Sequence, residues 1–302
     1  MYNLISGSGG FIGRNLIPYL EHAGEICQVL PRTVLQKIDS ELLGAPKAII
    51  HLAGKAHDLK NISDASEYYQ VNFELTKKLY EAFLKSDASI FIYISSVKAC
   101  RDVVQGVLTE EFEPTPETDY GKSKLMAENY IMRRTIPVEK KFYILRPCMI
   151  HGPGNKGNLN LLYKLIKKGL PYPLGAYRNQ RSFLSVQNFC FIIRELLNKN
   201  ISSGIYNVAD DECLSTNEVV RLLSQPLERQ VPILKIPPVV INMIAKIGDL
   251  FALPLTTEKI SKLTENFVVD NSKIKNALGV NLPLSVRDGL IITAKSFASQ
   301  EK

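Results

Sequence analysis

Short apolar runs alternate with segments of helical periodicity along the first half of the chain. The strand-like runs are residues 2–6, 26–30, 48–54 and 90–94. The helical segments, such as residues 14–23 and 68–84, place apolar residues three or four positions apart. Continuous apolar strands that alternate with helices are typical of a parallel sheet covered on both faces. The pattern therefore predicts an α/β fold with a Rossmann-like, doubly wound parallel sheet.

The pattern changes after Gly154 and predicts a second, smaller lobe. Residues 155–169 contain an amphipathic helix, and residues 204–209 have the pattern of a late strand that returns to the main sheet. We therefore expect a dinucleotide-binding domain and a discontinuous C-terminal substrate-binding lobe. Their predicted bounds are residues 1–154 plus about 183–210 for the first, and about 155–182 plus 211–302 for the second.

Residues 236–255 are the most apolar stretch of the second half. Val240, Ile244, Ile247 and Phe251 recur there at helical spacing, so one helix face is predicted to be apolar. Packing within the substrate-binding lobe or at an oligomer interface is the expected role of this face. A peripheral contact with a membrane is the alternative.

A glycine-rich turn follows the first predicted strand and opens the first predicted helix. Gly7, Gly10 and Gly13 have the spacing of a dinucleotide fingerprint, and Phe11 and Ile12 lie between the last two. Glycine permits the tight turn, the approach of a pyrophosphate to backbone N–H groups, and close helix packing. The turn therefore predicts a dinucleotide-binding site.

The ends of the second and third predicted strands are expected to contribute to the same dinucleotide-binding site. The third strand ends in Leu52, Ala53 and Gly54, and its small tip lets a cofactor lie across it. NAD-binding folds carry Asp or Glu after the second strand for the ribose 2′-hydroxyl, but this chain has Arg32 there. Because Arg32 can pair with a 2′-phosphate, NADP, as NADPH, is the preferred cofactor and NAD the alternative. The simpler interpretation of Arg32 is a solvated surface residue.

Tyr120 and Lys124 are four residues apart, so on a helix they share one face. A neighbouring ammonium group favours phenolate and is expected to lower the pKa of Tyr120 towards neutrality. Ser95 and Ser96 end the fourth strand, where ligands bind in open α/β sheets, although serines there can also simply terminate the strand. Together these residues predict a site that holds a substrate oxygen and exchanges its proton.

Composition and charge exclude several classes of function. With 45% hydrophobic and 22% charged residues, the chain has the composition of an ordinary soluble globular protein. The net charge of +7 comes without an RNP-like motif or a dense basic stripe, so we expect a phosphate-bearing small ligand and no nucleic acid. No run approaches 18 uninterrupted apolar residues, so no stable membrane insertion is expected.

Cysteine and histidine positions argue against a metal site. The five cysteines include no Cys-x-x-Cys pair, which predicts reduced thiols in the cytoplasm and neither a disulfide framework nor a zinc site. His51 and His57, with Asp58, have no third ligand at a matching spacing. We therefore expect no bound metal.

Several motifs occur in a fixed order along the chain. They are Gly7-x-x-Gly10-x-x-Gly13, His51-Leu52-Ala53-Gly54, Asn72, Ser95-Ser96, Tyr120-x-x-x-Lys124, Leu145-Arg146-Pro147 and His151-Gly152-Pro153-Gly154. This set resembles the extended short-chain dehydrogenase/reductases, the NAD-dependent epimerase/dehydratase family. The segments Ser95–Lys98 and Pro171–Phe183 are most similar to a bacterial branch that acts at C4 of UDP-N-acetylhexosamines for surface polysaccharides.

The resemblance implies roles for individual residues. Ser96, Tyr120 and Lys124 would be catalytic, and Tyr120 and Lys124 would also contact the cofactor. Asn72 and Pro147 would join the cofactor site. The residues implied in substrate binding are Lys98, Met149, Asn158 and Arg181. The resemblance also implies a UDP-sugar substrate and a homodimer.

Three positions depart from patterns found in the family. Val97-Lys98 stand where sugar-nucleotide 4,6-dehydratases carry Asp-Glu, so dehydratase activity is not expected. Cys100 replaces a common aromatic residue, and Met149 replaces an asparagine that binds substrate in some epimerases. Because of these departures, the resemblance does not identify the sugar of the substrate.

Three functions remain in competition. A UDP-4-keto-6-deoxy-sugar 4-reductase is preferred, because Arg32 favours exchangeable NADPH. A UDP-glucose or UDP-N-acetylglucosamine 4-epimerase with bound NAD would use the same residues. A non-catalytic, dinucleotide-sensing scaffold is the alternative from another class, since fold does not determine function.

Overall fold

The protein is described here by a computed structural model that covers residues 1–38, 43–55, 64–155, 157–228, 230–251 and 256–299. The strands are β1 (Asn3–Ser6), β2 (Cys27–Leu30), β3 (Ala48–His51), β4 (Ile90–Ile94), β5 (Val107–Leu108), β6 (Lys141–Pro147), β7 (Met149–His151), β8 (Arg181–Ser185), β9 (Gly204–Val208), β10 (Cys213–Leu214) and β11 (Val268–Val269). The α-helices are α1 (Phe11–His22), α2 (Arg32–Leu35), α3 (Ala65–Tyr68), α4 (Leu75–Lys85), α5 (Asp119–Arg133), α6 (Asn158–Lys167), α7 (Val186–Asn198), α8 (Thr216–Ser224), α9 (Pro238–Leu250), α10 (Thr257–Thr264), α11 (Ser272–Leu278) and α12 (Val286–Ser299).

Six strands form the central sheet, in the order β2-β1-β3-β4-β6-β9. Every neighbouring pair in this sheet is parallel. The predicted Rossmann-like sheet is therefore confirmed, as is the return of the late strand, which is β9. The strand order reverses between β1 and β3, so a crevice opens at the carboxyl ends of these strands, the usual ligand site of such sheets.

Alternate residues of the central strands face two different hydrophobic clusters. Ile5, Ile50 and Ile92 belong to one cluster, which also takes in α1 and α7. Leu4, Ile49 and Phe91, their neighbours in sequence, belong to the other, which takes in α4 and α5. Because side chains alternate across a strand, both faces of the sheet are covered. This burial explains the continuous apolar runs in the sequence.

A third cluster forms the core of the smaller part of the molecule. It joins α6, α8, α9 and α12, with residues such as Tyr163, Leu222, Ile241 and Leu290 fully or nearly fully buried. A separate three-stranded sheet has the order β10-β8-β7. Its residues Phe183 and Leu214 belong to this cluster. The lobe boundaries expected from the sequence stay a prediction.

Residues 68–84 are helical, as predicted, but they do not form one regular α-helix. The segment consists of α3, a π-helical stretch over Tyr69–Glu74, and α4. The wider turn carries Asn72, which is fully buried. Its side chain exchanges two hydrogen bonds with the backbone of Lys55, which donates from N to Asn72 Oδ1 at 2.7 Å. Periodicity does not reveal a π-turn, because the apolar spacing on either side is unchanged.

Helix α9 confirms the helical pattern predicted within residues 236–255, but most of its apolar residues are not buried. Only Ile241, Ala245 and Gly248 are buried among the residues of α9. In the described part of the chain, Val240, Ile244, Ile247 and Phe251 are therefore not packed within the lobe. An oligomer interface and a membrane contact at this face stay predictions. None of the described helices is long and apolar enough to cross a bilayer.

A buried ion pair fixes α5 against the central sheet. Glu128 on α5 and Arg146 on β6 are almost completely inaccessible, and Arg146 donates to both carboxylate oxygens at 2.5–3.2 Å. Ser95, just after β4, donates to Glu128 Oε1 at 2.5 Å. Burial lowers the pKa of Arg146, but the Glu128 carboxylate outweighs it and the net pKa is raised. The two charges and the hydroxyl thus tie one helix to two strand ends.

A buried chain of hydrogen bonds joins β1, β3 and the π-helical turn. Thr76 donates its hydroxyl proton to the Asn72 carbonyl at 2.8 Å, so its oxygen accepts from His51 Nε2 at 2.9 Å. His51 Nδ1 then accepts from the Ser6 hydroxyl at 2.6 Å. Burial lowers the pKa of His51 to about 3, with a further contribution from the Lys124 charge. His51 is therefore neutral, and both of its ring nitrogens are engaged in buried side-chain hydrogen bonds.

Replacing Glu128 by Gln is expected to lower the free energy of unfolding by about 3–5 kcal/mol, because the Arg146 charge would remain buried without its carboxylate. Urea unfolding measures the change. Glu81→Gln is the matched control, since Glu81 pairs with Arg134 at 2.8 Å on the surface and its loss should cost below about 1 kcal/mol. Equal effects of the two substitutions would contradict the assigned importance of the buried pair.

Burial of neutral His51 should make the free energy of unfolding depend on pH. Its pKa is about 3 in the folded protein against an ordinary 6.5, so between these values only the unfolded chain binds the proton. Stability from this group is complete above pH 6.5 and is lost as the pH falls, at about 1.4 kcal/mol per pH unit.

His51→Asn should lower the slope by about 1.4 kcal/mol per pH unit between pH 6 and about pH 4, and should leave the contribution of buried His151, whose pKa is also lowered to about 3. Urea unfolding at a series of pH values measures the change. His22→Asn, a change on the exposed end of α1, is the control and should keep the parental slope. An unchanged slope in the His51 variant would show that another group causes the acid sensitivity.

Candidate functional site

The glycine-rich turn leaves no room for side chains. Gly7 has φ of +75°, and a Cβ atom there would lie 2.5 Å from the Ala53 nitrogen. A Cβ atom at Gly13 would lie 2.6 Å from Ser8 Cα. The turn closes with a hydrogen bond from Gly10 N to Gly7 O at 3.0 Å. Glycine is thus required by close packing at Gly7 and Gly13, and by the backbone angle at Gly7.

The first turn of α1 is open to an anion. Gly10 precedes the helix, and no side chain caps its N–H groups among the described residues. The first turn also contains no acidic residue. The unpaired donors and the helix dipole together favour a negatively charged group at this position. Phe11 and Ile12 begin the helix here, as the fingerprint predicts.

A cleft of about 710 Å³ extends from this turn along the strand ends. The expected cofactor residues that line it are Gly7, Gly10, Arg32, Leu52, Ala53 and Gly54. Ser8, Leu30, Lys55, Glu67 and Gln70 line it as well, and the sequence did not single them out. A cleft of this size, with an anion-accepting helix end at one side, fits a dinucleotide such as NAD or NADP.

Arg32 lies on the wall of the cleft, at the start of α2 and directly after β2. Its guanidinium is therefore on the side where the adenosine ribose lies in dinucleotide-binding sheets of this kind. No acidic residue occupies the first turn of α2. The residues present therefore fit NAD or NADP.

Asn72, Lys124 and Gly54 meet at the other end of the cleft. A Cβ atom at Gly54 would lie 3.1 Å from both Asn72 Oδ1 and Lys124 Nζ. Asn72 also donates to Ser123 on α5 at 3.1 Å. Asn72 thus holds the loop after β3 and the start of α5 together, beside the expected cofactor position.

Ser96 and Tyr120 are brought together, as the sequence predicts. A hydrogen bond joins their side chains, and Tyr120 is half-buried. The Ser96 oxygen accepts from the backbone N–H of Lys98 at 3.2 Å, which leaves its own proton for Tyr120 or a ligand oxygen. Thr118 caps α5 through a bond from Gly121 N at 3.2 Å and so places Tyr120 in the first turn.

The expected lowering of the Tyr120 pKa is wrong for this structure. Burial raises the pKa of Tyr120, and the Ser96 hydrogen bond opposes the rise only in part. Lys124 shares the helix face, but its ammonium donates to the Ile94 carbonyl at 2.8 Å and lies 4.9 Å above the Tyr93 ring. Desolvation of the buried phenol therefore has a larger effect than the charge of Lys124.

Lys124 is itself perturbed by its surroundings. Burial lowers its pKa to about 8, although Glu128, one helical turn further along α5, acts in the opposite direction. Spacing along α5 thus places Tyr120, Lys124 and Glu128 on one face. Glu128 was not identified from the sequence, and the continuation of the four-residue spacing beyond Lys124 is the signal that indicates it.

Lys98 and Arg181 meet in a second cluster, away from the glycine turn. Lys98 donates to the Asp102 carbonyl at 2.5 Å and lies 4.7 Å above the Phe267 ring. Arg181 pairs with Glu265 at 3.5 Å. Burial lowers the pKa of Lys98, and the charge of Arg181 contributes to the same effect.

This cluster can accept an anion. No carboxylate lies within 4.0 Å of Lys98 among the described residues, although the more distant carboxylates of Glu265 and Asp102 act against the lowering of its pKa. Its direct contacts are the Asp102 carbonyl and the Phe267 ring. The Asp102 side chain is engaged elsewhere, because its carboxylate accepts from Glu117 N and Thr118 N at 2.7 Å and 3.1 Å. Two cationic side chains this close together can hold an anionic group.

Three residues that the sequence predicts in the site are not among those that line the cleft. Pro147 ends β6, and Met149 begins β7 with its side chain half-buried. Asn158 is exposed at the start of α6 and does not line the cleft. His57 and Asp58 lie outside the described residues. Among the residues that the structure describes, no group of three potential ligands could hold a metal ion.

Comparison with known proteins identifies the family. Residues 3–209 match the NAD dependent epimerase/dehydratase family, which is more than half of the chain. The UDP-glucose 4-epimerase of Vibrio cholerae is 29% identical, over 97% of this chain and 94% of that enzyme. The N-acetyl-alpha-D-glucosaminyl-diphospho-ditrans,octacis-undecaprenol 4-epimerase of Escherichia coli O157:H7 is 30% identical, over 78% of this chain and 75% of that enzyme.

A reductase is similar to the same extent. The GDP-6-deoxy-D-mannose reductase of Pseudomonas aeruginosa is 29% identical, over 77% of this chain and 82% of that enzyme. A solved structure of RMD from Pseudomonas aeruginosa, complexed with NADPH, superposes with a TM-score of 0.75 at 24% identity, covering 99% of this chain and 100% of that chain. The structural likeness establishes the fold. The relatives are enzymes that act on nucleotide sugars or related sugar diphosphates, and the chain belongs to the NAD dependent epimerase/dehydratase family.

Proposed function

We propose that the protein is an NAD(P)-dependent oxidoreductase acting at C4 of a UDP-N-acetylhexosamine, and that its reaction is reduction of a UDP-4-keto-6-deoxy sugar. The observation that carries the proposal is the hydrogen bond between Ser96 and Tyr120, with Lys124 one turn further along α5 and its ammonium beside Gly54 on the cleft wall. Relatives from both the epimerase and the reductase groups support chemistry at a sugar carbon that bears oxygen.

Each residue has a defined task in the proposed reaction. Bound NADPH supplies the hydride for the carbonyl carbon. The Ser96 hydroxyl holds the carbonyl oxygen, and Tyr120 gives that oxygen its proton. Lys124, with its ammonium beside Gly54, binds the nicotinamide ribose and supplies positive charge near the developing alkoxide.

The protonation state of Tyr120 favours the reductive direction. Because burial raises its pKa, Tyr120 is a phenol before the substrate binds. A phenol can donate a proton to a keto-sugar at once, whereas epimerisation begins with removal of a proton from the 4-hydroxyl. Arg32 on the cleft wall supports the same direction, since it fits the 2′-phosphate of NADPH.

A 4-epimerase with bound NAD is the second candidate for the reaction. The names of the Vibrio cholerae and Escherichia coli relatives favour it. The second of these acts on a sugar linked through a diphosphate to undecaprenol. A lipid-linked sugar shares the diphosphate that Lys98 and Arg181 are positioned to bind, so it is a second candidate for the substrate. A non-catalytic scaffold would have no need of a buried Ser96–Tyr120 pair.

Product analysis tests the proposed reaction. Purified protein incubated with UDP-4-keto-6-deoxy-GlcNAc and NADPH is expected to yield a product that has gained two hydrogen atoms, measured by mass spectrometry. Parallel incubations use NADH, and UDP-GlcNAc without added cofactor. Interconversion of UDP-GlcNAc and UDP-GalNAc without added cofactor would contradict the proposed reduction and show that the protein is a 4-epimerase.

Tyr120→Phe should lower turnover by about 10²–10⁴-fold while cofactor binding is kept, because the variant lacks only the transferable proton. Tyr130→Phe is the matched control: Tyr130 is on the same helix, but its hydroxyl donates to Glu81 at 2.6 Å. Turnover and cofactor titration are measured for both variants. Unchanged turnover of the Tyr120 variant would show that another group supplies the proton. Cofactor binding without turnover in the unaltered protein would favour a binding protein over an enzyme.

Arg32→Ala should raise the KM for NADPH by about tenfold and leave the KM for NADH unchanged, because one charged contact to the 2′-phosphate is lost. Lys37→Ala removes the same charge from an exposed residue that does not line the cleft, and should change neither value. An equal effect of Arg32→Ala on both cofactors would rule out recognition of the phosphate by Arg32.

A further inference from the structure

Helix α9 presents three different faces around its axis. The buried residues Ile241, Ala245 and Gly248 form the inner face. Asn242, Lys246 and Asp249 form a polar face beside it. At about 100° of rotation per residue, the remaining apolar side chains occupy one continuous arc of about 140°. We name this arc the α9 apolar face; it consists of Val239, Val240, Met243, Ile244, Ile247, Leu250 and Phe251.

The α9 apolar face is open to solvent in the described structure. Val239 is 79% exposed, Leu250 is 78% exposed and Phe251 is 67% exposed. Single exposed apolar residues are normal, but a contiguous group of seven on one helix is rare in a soluble monomer and marks an interaction site. The helix does not depend on this face to hold its place, since its inner face packs in the third core cluster.

Charge around the face selects among its possible occupants. Lys246 borders the arc on the helix, and Lys235 lies exposed just before the helix. Asp249 is turned away, because its carboxylate accepts hydrogen bonds from Thr257 at the start of α10. The charged residue that borders the apolar arc on the helix is therefore a lysine, within a chain of net charge +7. A flank of this sign complements anionic lipid headgroups.

The residue types also favour lipid over protein. The arc contains aliphatic side chains, one methionine and one phenylalanine, and it has no Tyr, Trp or Arg of the kind that anchors protein interfaces. Its shape is the convex side of a single helix. Such a surface enters the boundary between headgroups and acyl chains easily, whereas a protein partner would need a matching groove.

We propose that the α9 apolar face docks the protein peripherally on an anionic phospholipid bilayer. Seven apolar side chains enter the interface while Lys235 and Lys246 contact the headgroups. This mode of binding needs no spanning helix, in keeping with the described helices.

The docked face is linked to the candidate anion site. Tyr177 donates to Asn242 on α9 at 3.3 Å, and Gly175 N donates to Leu234 O at 2.9 Å. Residues 171–177 lead directly to Arg181, which also donates to the Lys262 carbonyl on α10. Docking through α9 would therefore bring Arg181 and Lys98 near the bilayer surface, where a diphosphate carried on a lipid would be presented. This consequence rests on the second candidate substrate, but the docking itself does not.

Flotation with lipid vesicles tests the proposal on the full chain. Wild-type protein is expected to float with vesicles of equal parts phosphatidylcholine and phosphatidylglycerol, and to bind pure phosphatidylcholine vesicles at least tenfold less well. Met243→Gln/Leu250→Gln should lower the partition coefficient at least tenfold, because two apolar side chains no longer enter the lipid. Ile26→Gln/Val138→Gln alters exposed apolar residues elsewhere and should bind as wild type does.

Three results would overturn the proposal. The first is that wild-type protein floats with neither kind of vesicle, which would show that the α9 apolar face does not bind lipid. An equal loss of binding in the control double variant would make the effect unspecific to α9. If the α9 variant instead converts a dimer to a monomer in light scattering without vesicles, the face belongs to a second copy of the chain.

Methionine oxidation gives a second test, which needs no variant. Met243 is 58% exposed on the α9 apolar face, and Met132 is 48% exposed on α5. Anionic vesicles should slow oxidation of Met243 by hydrogen peroxide at least fivefold and leave Met132 unchanged, as measured by mass spectrometry of peptides. Equal rates for Met243 with and without vesicles would overturn the proposal. Both tests read binding directly, so they can succeed or fail whichever reaction the protein catalyses.

Discussion

The ion pair between Glu128 and Arg146 is the interaction on which the candidate site depends. Removing two charges from water is costly, and only close geometry with further hydrogen bonds compensates for it. Here Arg146 contacts both carboxylate oxygens, and the Ser95 hydroxyl adds a further bond at 2.5 Å. Few other positions of α5 would satisfy all three groups. The pair therefore fixes where the helix lies on the sheet, more than it adds to stability.

The position of α5 decides the geometry of the residues before Glu128. Lys124 is one turn earlier, and its ammonium reaches the Ile94 carbonyl at the end of β4. Tyr120 is one turn earlier again, where it meets Ser96, the residue after Ser95. The two serines thus have separate tasks. Ser95 anchors the helix through Glu128, and Ser96 faces the site.

Much of this arrangement follows from the sequence, because it rests on local patterns. Strand β4 has the predicted bounds, since a continuous apolar run followed by two serines has a sharp end. The glycine turn lies where its spacing predicts, because close packing at Gly7 and Gly13 admits no other residue. Spacing along one helix likewise predicts that Tyr120 and Lys124 share a face.

The features that were missed or wrong depend on contacts between distant segments. The π-helical turn that carries Asn72 is defined by backbone bonds that apolar spacing does not reflect. The exposure of the α9 apolar face could not be derived from periodicity, which marks an apolar stripe but not what covers it. The pKa of Tyr120 depends on how deeply the phenol is buried, and only the folded structure shows that depth.

This last difference bears on the direction of the proposed reaction. A phenol whose pKa is raised by burial starts the cycle with its proton in place, ready for a carbonyl oxygen held by Ser96. Proton removal from a sugar hydroxyl would require positive charge to act more strongly on Tyr120 than it does here. In this structure Lys124 directs its ammonium to the Ile94 carbonyl, and the Glu128–Arg146 pair holds α5 in the position that allows this contact. Burial of the phenol therefore has the larger effect on the pKa of Tyr120.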